Sequence, residues 1–280
     1  MEAMYYKSLK EGLQCQLCPH GCILKDGDIG ICKVRKNDND KLISLSYQQI
    51  SSIALDPIEK KPLRMFLPNT NVLSVGSYGC NLKCPWCQNY SISQEKPLSL
   101  TEIESDTLVE IAVKKGYPSI AFTYNEPIVN YEFMLETAQL AKQKGVKMVL
   151  VTAGYINKEP WIKLLDYIDA LNIDLKGYNS RKYRQVLGAD LTTIKDNIIA
   201  AYERAHIELA TLVVPGFNDD LEELESMFSW IARIDTKIPL HLARYFPRYQ
   251  YNKSSPKIEF MYQVRDLANK YLKNVFLGNM

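Results

Sequence analysis

Three cysteines stand close together in "GCNLKCPWCQN", residues 79 to 89: Cys80, Cys84 and Cys87, in C-x3-C-x2-C spacing. We call them the cysteine triplet. Metal sites built from thiolates usually close with four ligands. In a cubane iron–sulfur cluster each of the four irons takes one external ligand, so three thiolates leave one iron open. Because an open position is typical of catalytic metal sites, the triplet indicates a cluster whose fourth ligand is a substrate or a cofactor.

The alternatives for the triplet are a zinc knuckle and a set of buried, unligated thiols. A three-cysteine zinc site would still lack a nearby fourth ligand. The residues therefore favour the cluster.

A second set, which we call the N-terminal cysteine group, lies in "CQLCPHGCILKDGDIGICKVR" and has C-x2-C-x3-C…C spacing. This loop-rich stretch is too small to be held together by a hydrophobic core. A structural zinc ion could supply about 10 kcal/mol of folding free energy, and a second [4Fe–4S] cluster relaying electrons would use the same four thiolates. The sequence does not decide between the zinc ion and the second cluster. Four unligated thiols would leave this stretch with little to stabilise its fold. His20 is expected to be a loop residue. The group consists of Cys15, Cys18, Cys22 and Cys32.

The elements that must position these residues follow a regular pattern. Short β-rich runs alternate with helical patterns, which predicts βαβ units and a parallel sheet. The first helical pattern offers a capping box of Thr101 with Glu104 and ends at Gly116. A complete eight-fold barrel needs ~250 residues, so a partial (β/α)6-type TIM barrel fits better. The runs are 71–76, 119–124, 148–152, 170–175, 208–214, 239–245 and, less clearly, 274–278.

Two domains are expected: residues 1–67 as a cysteine-rich metal-binding module with a connecting segment, and residues 68–280 as the partial barrel. Active sites of parallel barrels lie at the carboxyl ends of the strands. The triplet follows the carboxyl end of the first β-rich run. Asp174 and Lys176 end the fourth run and share one face, since strand side chains alternate. His206 is expected late in a helix, without a functional role.

Composition excludes some classes of function. Of 280 residues, 46% are hydrophobic and 24% are charged, with a net charge of +2, so no strong field predicts nucleic acid or an anionic membrane as the main partner. The N-terminus is too polar for a signal peptide, and no apolar run could span a bilayer. Clustered cysteines in a chain of this kind indicate metal binding in a reducing, cytoplasmic location.

The triplet with Trp86 before its last cysteine resembles the signature of radical S-adenosylmethionine (SAM) enzymes. The whole chain resembles the branch similar to pyruvate formate-lyase activating enzyme, and specifically the AmmeMemoRadiSam system radical SAM enzyme. This resemblance implies a radical SAM core, a [4Fe–4S] cluster on the triplet, and SAM bound to the open iron. The motifs that carry it, in chain order, are "CQLCPHGC", "LDPIEKKPL", "GCNLKCPWCQN", "TYNEP", "DLKGY", "VVPGFND" and "HLARYFP".

The resemblance also assigns roles at the strand ends. Glu126, with Asn125, stands where the family receives the methionine amino group of SAM, and an ammonium there would gain a charge-assisted hydrogen bond. The alternative is that this Asn-Glu-Pro only starts the next helix. Lys176 resembles a residue that meets the methionine carboxylate, and Asp174 one that faces cofactor or substrate; a surface ion pair is the alternative.

Three further positions come from the resemblance. Trp86 lies within the signature itself. Val214 belongs to a turn whose backbone could approach the adenine, or which only ends a strand. His241 resembles the residue that approaches the ribose or adenine, although a lone histidine in a strand is often a satisfied core residue. One departure is Ala153, where the family usually carries asparagine, and relatives commonly continue beyond "VFLGNM" into a cysteine-containing tail.

The implied activity is reductive cleavage of SAM to methionine and a 5′-deoxyadenosyl radical that abstracts hydrogen. The expected substrate is a backbone glycine in a partner protein, with a small molecule or peptide in an AmmeMemoRadiSam-type system as the alternative. An electron donor of the flavodoxin or ferredoxin type and inactivation by air are also implied. A zinc-binding interaction protein is the non-enzymatic alternative, distinguished by its lack of colour.

Overall fold

A computed structural model describes all 280 residues, and its main feature is one eight-stranded sheet. Neighbours in the chain are neighbours in the sheet. Strands β2 to β8 are parallel, and β1 joins β2 antiparallel. The two outer strands do not pair with each other, so the barrel is open. The strands are β1 Ser52–Pro57, β2 Asn71–Gly76, β3 Ser119–Phe122, β4 Lys147–Thr152, β5 Ala170–Asp174, β6 His206–Val213, β7 Leu240–Arg244 and β8 Val275–Gly278.

Six helices of eight or more residues connect the seven parallel strands, one between each successive pair, which confirms the predicted partial (β/α)6-type barrel. They are α1 Ser105–Lys115, α2 Tyr131–Gln143, α3 Lys158–Leu165, α4 Leu191–Tyr202, α5 Leu221–Ile234 and α6 Ile258–Ala268. Shorter turns are the 3₁₀ segments Ile58–Lys60 and Pro127–Asn130, the α segments Tyr90–Ser93 and Ser180–Lys182, and the π segment Tyr183–Leu187.

Two local predictions were wrong. Helix α1 begins at Ser105 and its N-cap, Glu104, makes no capping bond, because Thr101 pairs instead with Ile50 in a short antiparallel ladder. His206 is the first residue of β6 and not part of a helix. Gly116 does end α1, with the left-handed φ of +68° that favours glycine.

The first fifty residues form small antiparallel pieces packed against the barrel. Tyr6–Leu9, Gly12–Cys15 and Ile23–Leu24 make one sheet, and Arg35–Asp38 pairs with Lys41–Ser44. The following strand, β1, already belongs to the main sheet. The division at residues 67 and 68 stays a prediction.

The segment 58–67, which we call the floor segment, packs against the inner face of the barrel. Ile58 and Leu63 are fully buried against the small and branched side chains of neighbouring strands. Its backbone is held by Glu208 on β6, whose carboxylate accepts hydrogen bonds from the N–H groups of Arg64 (2.9 Å) and Met65 (2.7 Å). This contact closes one end of the barrel. The apolar strand residues are Val72, Ala121, Val149 and Ala170.

Glu208 also accepts hydrogen bonds from both histidines of the barrel, His206 at 3.0 Å and His241 at 2.6 Å. Burial acts to raise the pKa of Glu208, but these four hydrogen bonds outweigh it and lower the pKa to about 2. The carboxylate is therefore charged in the fold.

None of the helices has both the length and the apolar character needed to cross a bilayer.

We expect Glu208→Gln to reduce the free energy of unfolding at pH 7 by on the order of 2 kcal/mol. Since the folded pKa lies below the ordinary value of 4.5, the contribution of Glu208 is complete above about pH 4.5 and is lost as the pH falls toward 2. Urea unfolding followed by tryptophan fluorescence between pH 7 and pH 3 measures it.

The matched control is Glu222→Gln, at an exposed position on α5. Its pH dependence should follow that of the unchanged protein. Equal acid sensitivity of the Glu208→Gln variant and the unchanged protein would contradict the assignment.

Candidate active site

The cysteine triplet lies in the loop 77–89, the triplet loop, which runs from the end of β2 to the turn Tyr90–Ser93. All seven thiols are free, and Cys84 is buried. Asn125, after β3, holds the start of the loop, because its Oδ1 accepts from the N–H of Ser77 (3.0 Å) and its Nδ2 donates to the carbonyl of Gly79 (3.0 Å). Further along, the Nδ2 of Asn89 donates to the Tyr124 carbonyl (2.7 Å).

Glu126 lies beside Cys80 in the interior. Its carboxylate accepts from the hydroxyl of Thr152 (2.6 Å) and from the N–H of Ala153 (2.8 Å), at the end of β4. Burial raises the pKa of Glu126, and burial together with the charge of Glu126 raises that of Cys80. Because buried negative groups repel, this half of the site favours a cation.

Lys176 lies beside Cys84. Its ammonium donates to the carboxylate of Asp174 (2.8 Å), and its backbone N–H donates to the hydroxyl of Tyr183 (2.8 Å). Burial alone would lower the pKa of Lys176, but the charges of Asp174 and Cys84 raise it well above its usual range. Burial raises the pKa of Cys84 to about 11, and the charge of Lys176 acts against this. This half of the site therefore holds an ammonium that stays charged and is paired with the carboxylate of Asp174.

Trp86 and Val214 form apolar parts of the same region. The Trp86 ring packs against Phe217 (4.7 Å between centroids) and Tyr251 (5.4 Å). Val214 follows β6, is fully buried, and donates its N–H to the Oδ1 of Asn218 (2.6 Å). The triplet loop is thus packed against the loop between β6 and α5.

His241 lies in the floor network and not with the charged groups of the triplet. It is the second residue of β7, and its hydrogen-bond partner is Glu208. The structure therefore brings together the triplet, Asn125, Glu126, Asp174 and Lys176, at the carboxyl ends of successive strands. The role of His241 stays a prediction.

Sequence reasoning missed several positioning residues. Thr152 and Tyr183 contact Glu126 and Lys176 but carry no local signal, because their partners are distant in the chain or on another element. Asn218 lies in "VVPGFND" and could have been noticed, since a polar residue in such a turn often bonds nearby backbone. At Ala153 the backbone N–H contacts Glu126, so this contact does not need a polar side chain.

The N-terminal cysteine group lines a separate, small cavity of about 20 Å³. His20 is not in its wall; its Nε2 bonds to the carbonyl of Asn81 (2.7 Å). The side chains of neither cysteine group converge on one metal position in this structure. Metal binding would therefore involve rotation of the thiols about their Cα–Cβ bonds.

Comparison with known proteins identifies the family. Residues 74–231 match the model of the radical SAM superfamily. The uncharacterized protein MJ0808 of Methanocaldococcus jannaschii is 38% identical over 100% of this chain and 85% of its own length. The pyruvate formate-lyase-activating enzyme of Clostridium pasteurianum is 23% identical over 70% of this chain and 88% of its own length.

A more distant sequence relative and two solved structures are also similar to the chain. The 4-hydroxyphenylacetate decarboxylase activating enzyme of Clostridium scatologenes is 22% identical over 57% of this chain and 53% of its own length. Among solved structures, QueE from Escherichia coli has a TM-score of 0.51 at 13% identity, over 83% of this chain and 94% of its own. Streptococcus suis SuiB bound to S-adenosylmethionine has a TM-score of 0.57 at 14% identity, over 72% and 48%. The chain belongs to the radical SAM superfamily, in the branch similar to pyruvate formate-lyase activating enzyme.

Proposed function

We propose that this protein is a radical SAM enzyme that abstracts hydrogen from a backbone glycine of a partner protein, as an activating enzyme. The observation that carries the proposal is the grouping of three thiols, a buried carboxylate and a half-buried ammonium at the carboxyl ends of the parallel strands. Parallel barrels build their active sites at this end.

In this proposal Cys80, Cys84 and Cys87 hold a [4Fe–4S] cluster and leave one iron free. The donor set fits, because thiolates are the usual protein ligands of such clusters and no fourth cysteine lies in the loop. When bound there, the cluster would supply the electron for reductive cleavage of SAM to methionine and the 5′-deoxyadenosyl radical, the hydrogen-abstracting agent of the proposed activity.

The protein's own residues bind and orient the cofactor. Glu126 receives the amino group of the methionine end, and Lys176, held by Asp174, meets its carboxylate. The buried carboxylate of Glu126 and the half-buried ammonium of Lys176 supply the two opposite charges that an amino acid group needs. Asn125 fixes the loop that bears the cysteines.

The apolar residues shield this chemistry from water. Trp86 closes the site against Phe217, and Val214 offers backbone and a methyl surface to the adenine. A contact of His241 with the ribose or adenine is implied only by the resemblance, and in the structure its Nε2 bonds to Glu208 in the floor network. Exclusion of water protects a reactive radical from side reactions.

The proposal also includes an electron donor and a second bound metal. A reduced flavodoxin or ferredoxin supplies the electron. The N-terminal cysteine group binds a second metal and takes no part in cleaving SAM, since its cavity is separate from the triplet.

The substrate is proposed from the relatives. Two of them are named as activating enzymes, of pyruvate formate-lyase and of 4-hydroxyphenylacetate decarboxylase. A protein-bound glycine is the substrate class that such a function implies. Abstraction from a small molecule or peptide, in an AmmeMemoRadiSam-type system, is the other outcome that the substrate experiment below can give.

We expect Cys84→Ala to abolish formation of 5′-deoxyadenosine, because two thiolates do not hold a cubane in a site that leaves one iron open. After anaerobic reconstitution, the protein with dithionite and SAM is assayed for 5′-deoxyadenosine, and its iron content is measured. Lys83→Ala, an exposed neighbour in the same loop, should behave as the unchanged protein. Full activity of Cys84→Ala would overturn the assignment of the triplet.

We expect Glu126→Gln to weaken the binding of SAM by about 10- to 100-fold, since a charge-assisted hydrogen bond becomes a neutral one. Equilibrium dialysis with the reconstituted protein gives the Kd, and iron content should be unchanged. Glu136→Gln, whose carboxylate bonds Tyr47 and Ser105, is the matched control. An unchanged Kd would remove Glu126 from the cofactor site.

The substrate is tested by isotope transfer. A candidate glycyl-radical protein labelled with α-deuterated glycine is mixed with the reduced enzyme and SAM. We expect deuterium in 5′-deoxyadenosine and a protein-bound glycine radical by electron paramagnetic resonance. Cleavage of SAM without transfer from the candidate proteins, but with transfer from a labelled small molecule or peptide, would replace glycine as the substrate class.

A further inference from the structure

The four N-terminal cysteines surround a cavity that fits one ion. Its volume is about 20 Å³, and Arg35 and Asn81 also contribute to its wall. One water-sized particle needs roughly 10–15 Å³ measured this way.

The four thiols are largely enclosed by protein. Cys15, Cys18 and Cys32 are buried, and Cys22 is half-buried. Four thiolates placed this close together and away from water would repel one another strongly unless a cation lay among them.

Arg35 offers the cavity a buried N–H donor. Its side chain is 1% exposed; Nη2 donates to Glu132 (2.6 Å) and Nη1 to the Met4 carbonyl (2.8 Å), while Nε has no hydrogen-bond partner. Glu132 balances the charge of the guanidinium, so the contribution of Arg35 to a thiolate site is a charge-assisted hydrogen bond. The free Nε–H of Arg35, in the wall of the cavity, fits a bond to a metal-bound sulfur.

The same group of residues touches the triplet loop. Asn81, between Cys80 and Cys84, lines the cavity, and its carbonyl bonds to His20. Its Nδ2 donates to the Tyr155 carbonyl (2.7 Å), and its buried Oδ1 has no partner. Gly79 lies so close that an added Cβ would be 2.5 Å from the carbonyl oxygen of Cys32.

We propose that Cys15, Cys18, Cys22 and Cys32 bind one divalent ion, with zinc as the ion that four thiolates favour, and that this site fixes the conformation of the triplet loop. Arg35 donates its free Nε–H to a metal-bound sulfur, and Asn81, His20 and Gly79 form the contact between metal site and loop. The proposed effect on the triplet loop rests on the proposed function, because only that function makes the loop part of an active site. The metal site itself is independent of it.

The first experiment measures the metal. The full chain with Cys80→Ala, Cys84→Ala and Cys87→Ala together is purified in air, which removes the proposed catalytic cluster. We expect one zinc and no iron per chain by mass spectrometry of the elements, and tetrathiolate charge-transfer bands after exchange with cobalt. About four irons per chain, or no metal, would overturn the single-ion site.

The second experiment measures the loop. Hydrogen exchange is followed in the same variant before and after a chelator removes the metal, at the amides of Gly79 and Lys83, which donate to Ile92 and Leu187. We expect exchange to become at least about tenfold faster, with little change in helix α4. Unchanged exchange at both amides would overturn the coupling.

A milder variant covers the case in which metal removal unfolds the chain. His20→Ala keeps all four cysteines but removes the bond to Asn81, so zinc content should stay at one while the loop amides exchange faster. His206→Ala, in the barrel, is the control and should leave them unchanged. Slow exchange in His20→Ala would refute the contact. No readout uses SAM cleavage, so failure here and failure of the proposed function are distinct results.

Discussion

The conformation of the triplet loop depends on side-chain amides that bond its backbone, because the loop itself has almost no regular secondary structure. Asn125 bonds to the loop at Ser77 and Gly79, and Asn89 returns a bond to Tyr124. Leaving buried N–H or carbonyl groups unpaired would cost about 1–3 kcal/mol each. These amides anchor both ends of the loop that bears the thiols, and every chemical role assigned to the thiols depends on that placement.

The charges of the site are divided in space. Glu126 lies with Cys80 on one side, and Lys176 with Cys84 on the other. Inside a protein such charges are weakly screened, so each side selects strongly for its opposite. The division complements a group with an ammonium at one end and a carboxylate at the other. The same fold feature, parallel strands ending at one edge, produces both the division and the proximity of the thiols.

More of the fold than of the candidate site could be predicted from the sequence. Alternating β-rich and helical runs were enough for the barrel, since each run is a local pattern. Predictions from local pattern were wrong where a residue distant in the chain provides the partner. Thr101 pairs with Ile50 and forms no capping box, and His206 belongs to β6 and not to a helix. The triplet could be recognised from the spacing of its three cysteines. The bonds from Thr152 to Glu126 and from Tyr183 to Lys176 could not be read, because only folding brings these residues together.

The floor segment has a consequence for the order in which the chain acquires its structure. The two N–H groups that Glu208 accepts lie 144 and 143 positions before it. During synthesis the ribosome releases Arg64 and Met65 long before it makes their acceptor. Closing so long a loop is entropically slow, so the closed end of the barrel is completed only after most of the strands have emerged. Until then the N–H groups of Arg64 and Met65 lack the carboxylate that fixes the floor segment.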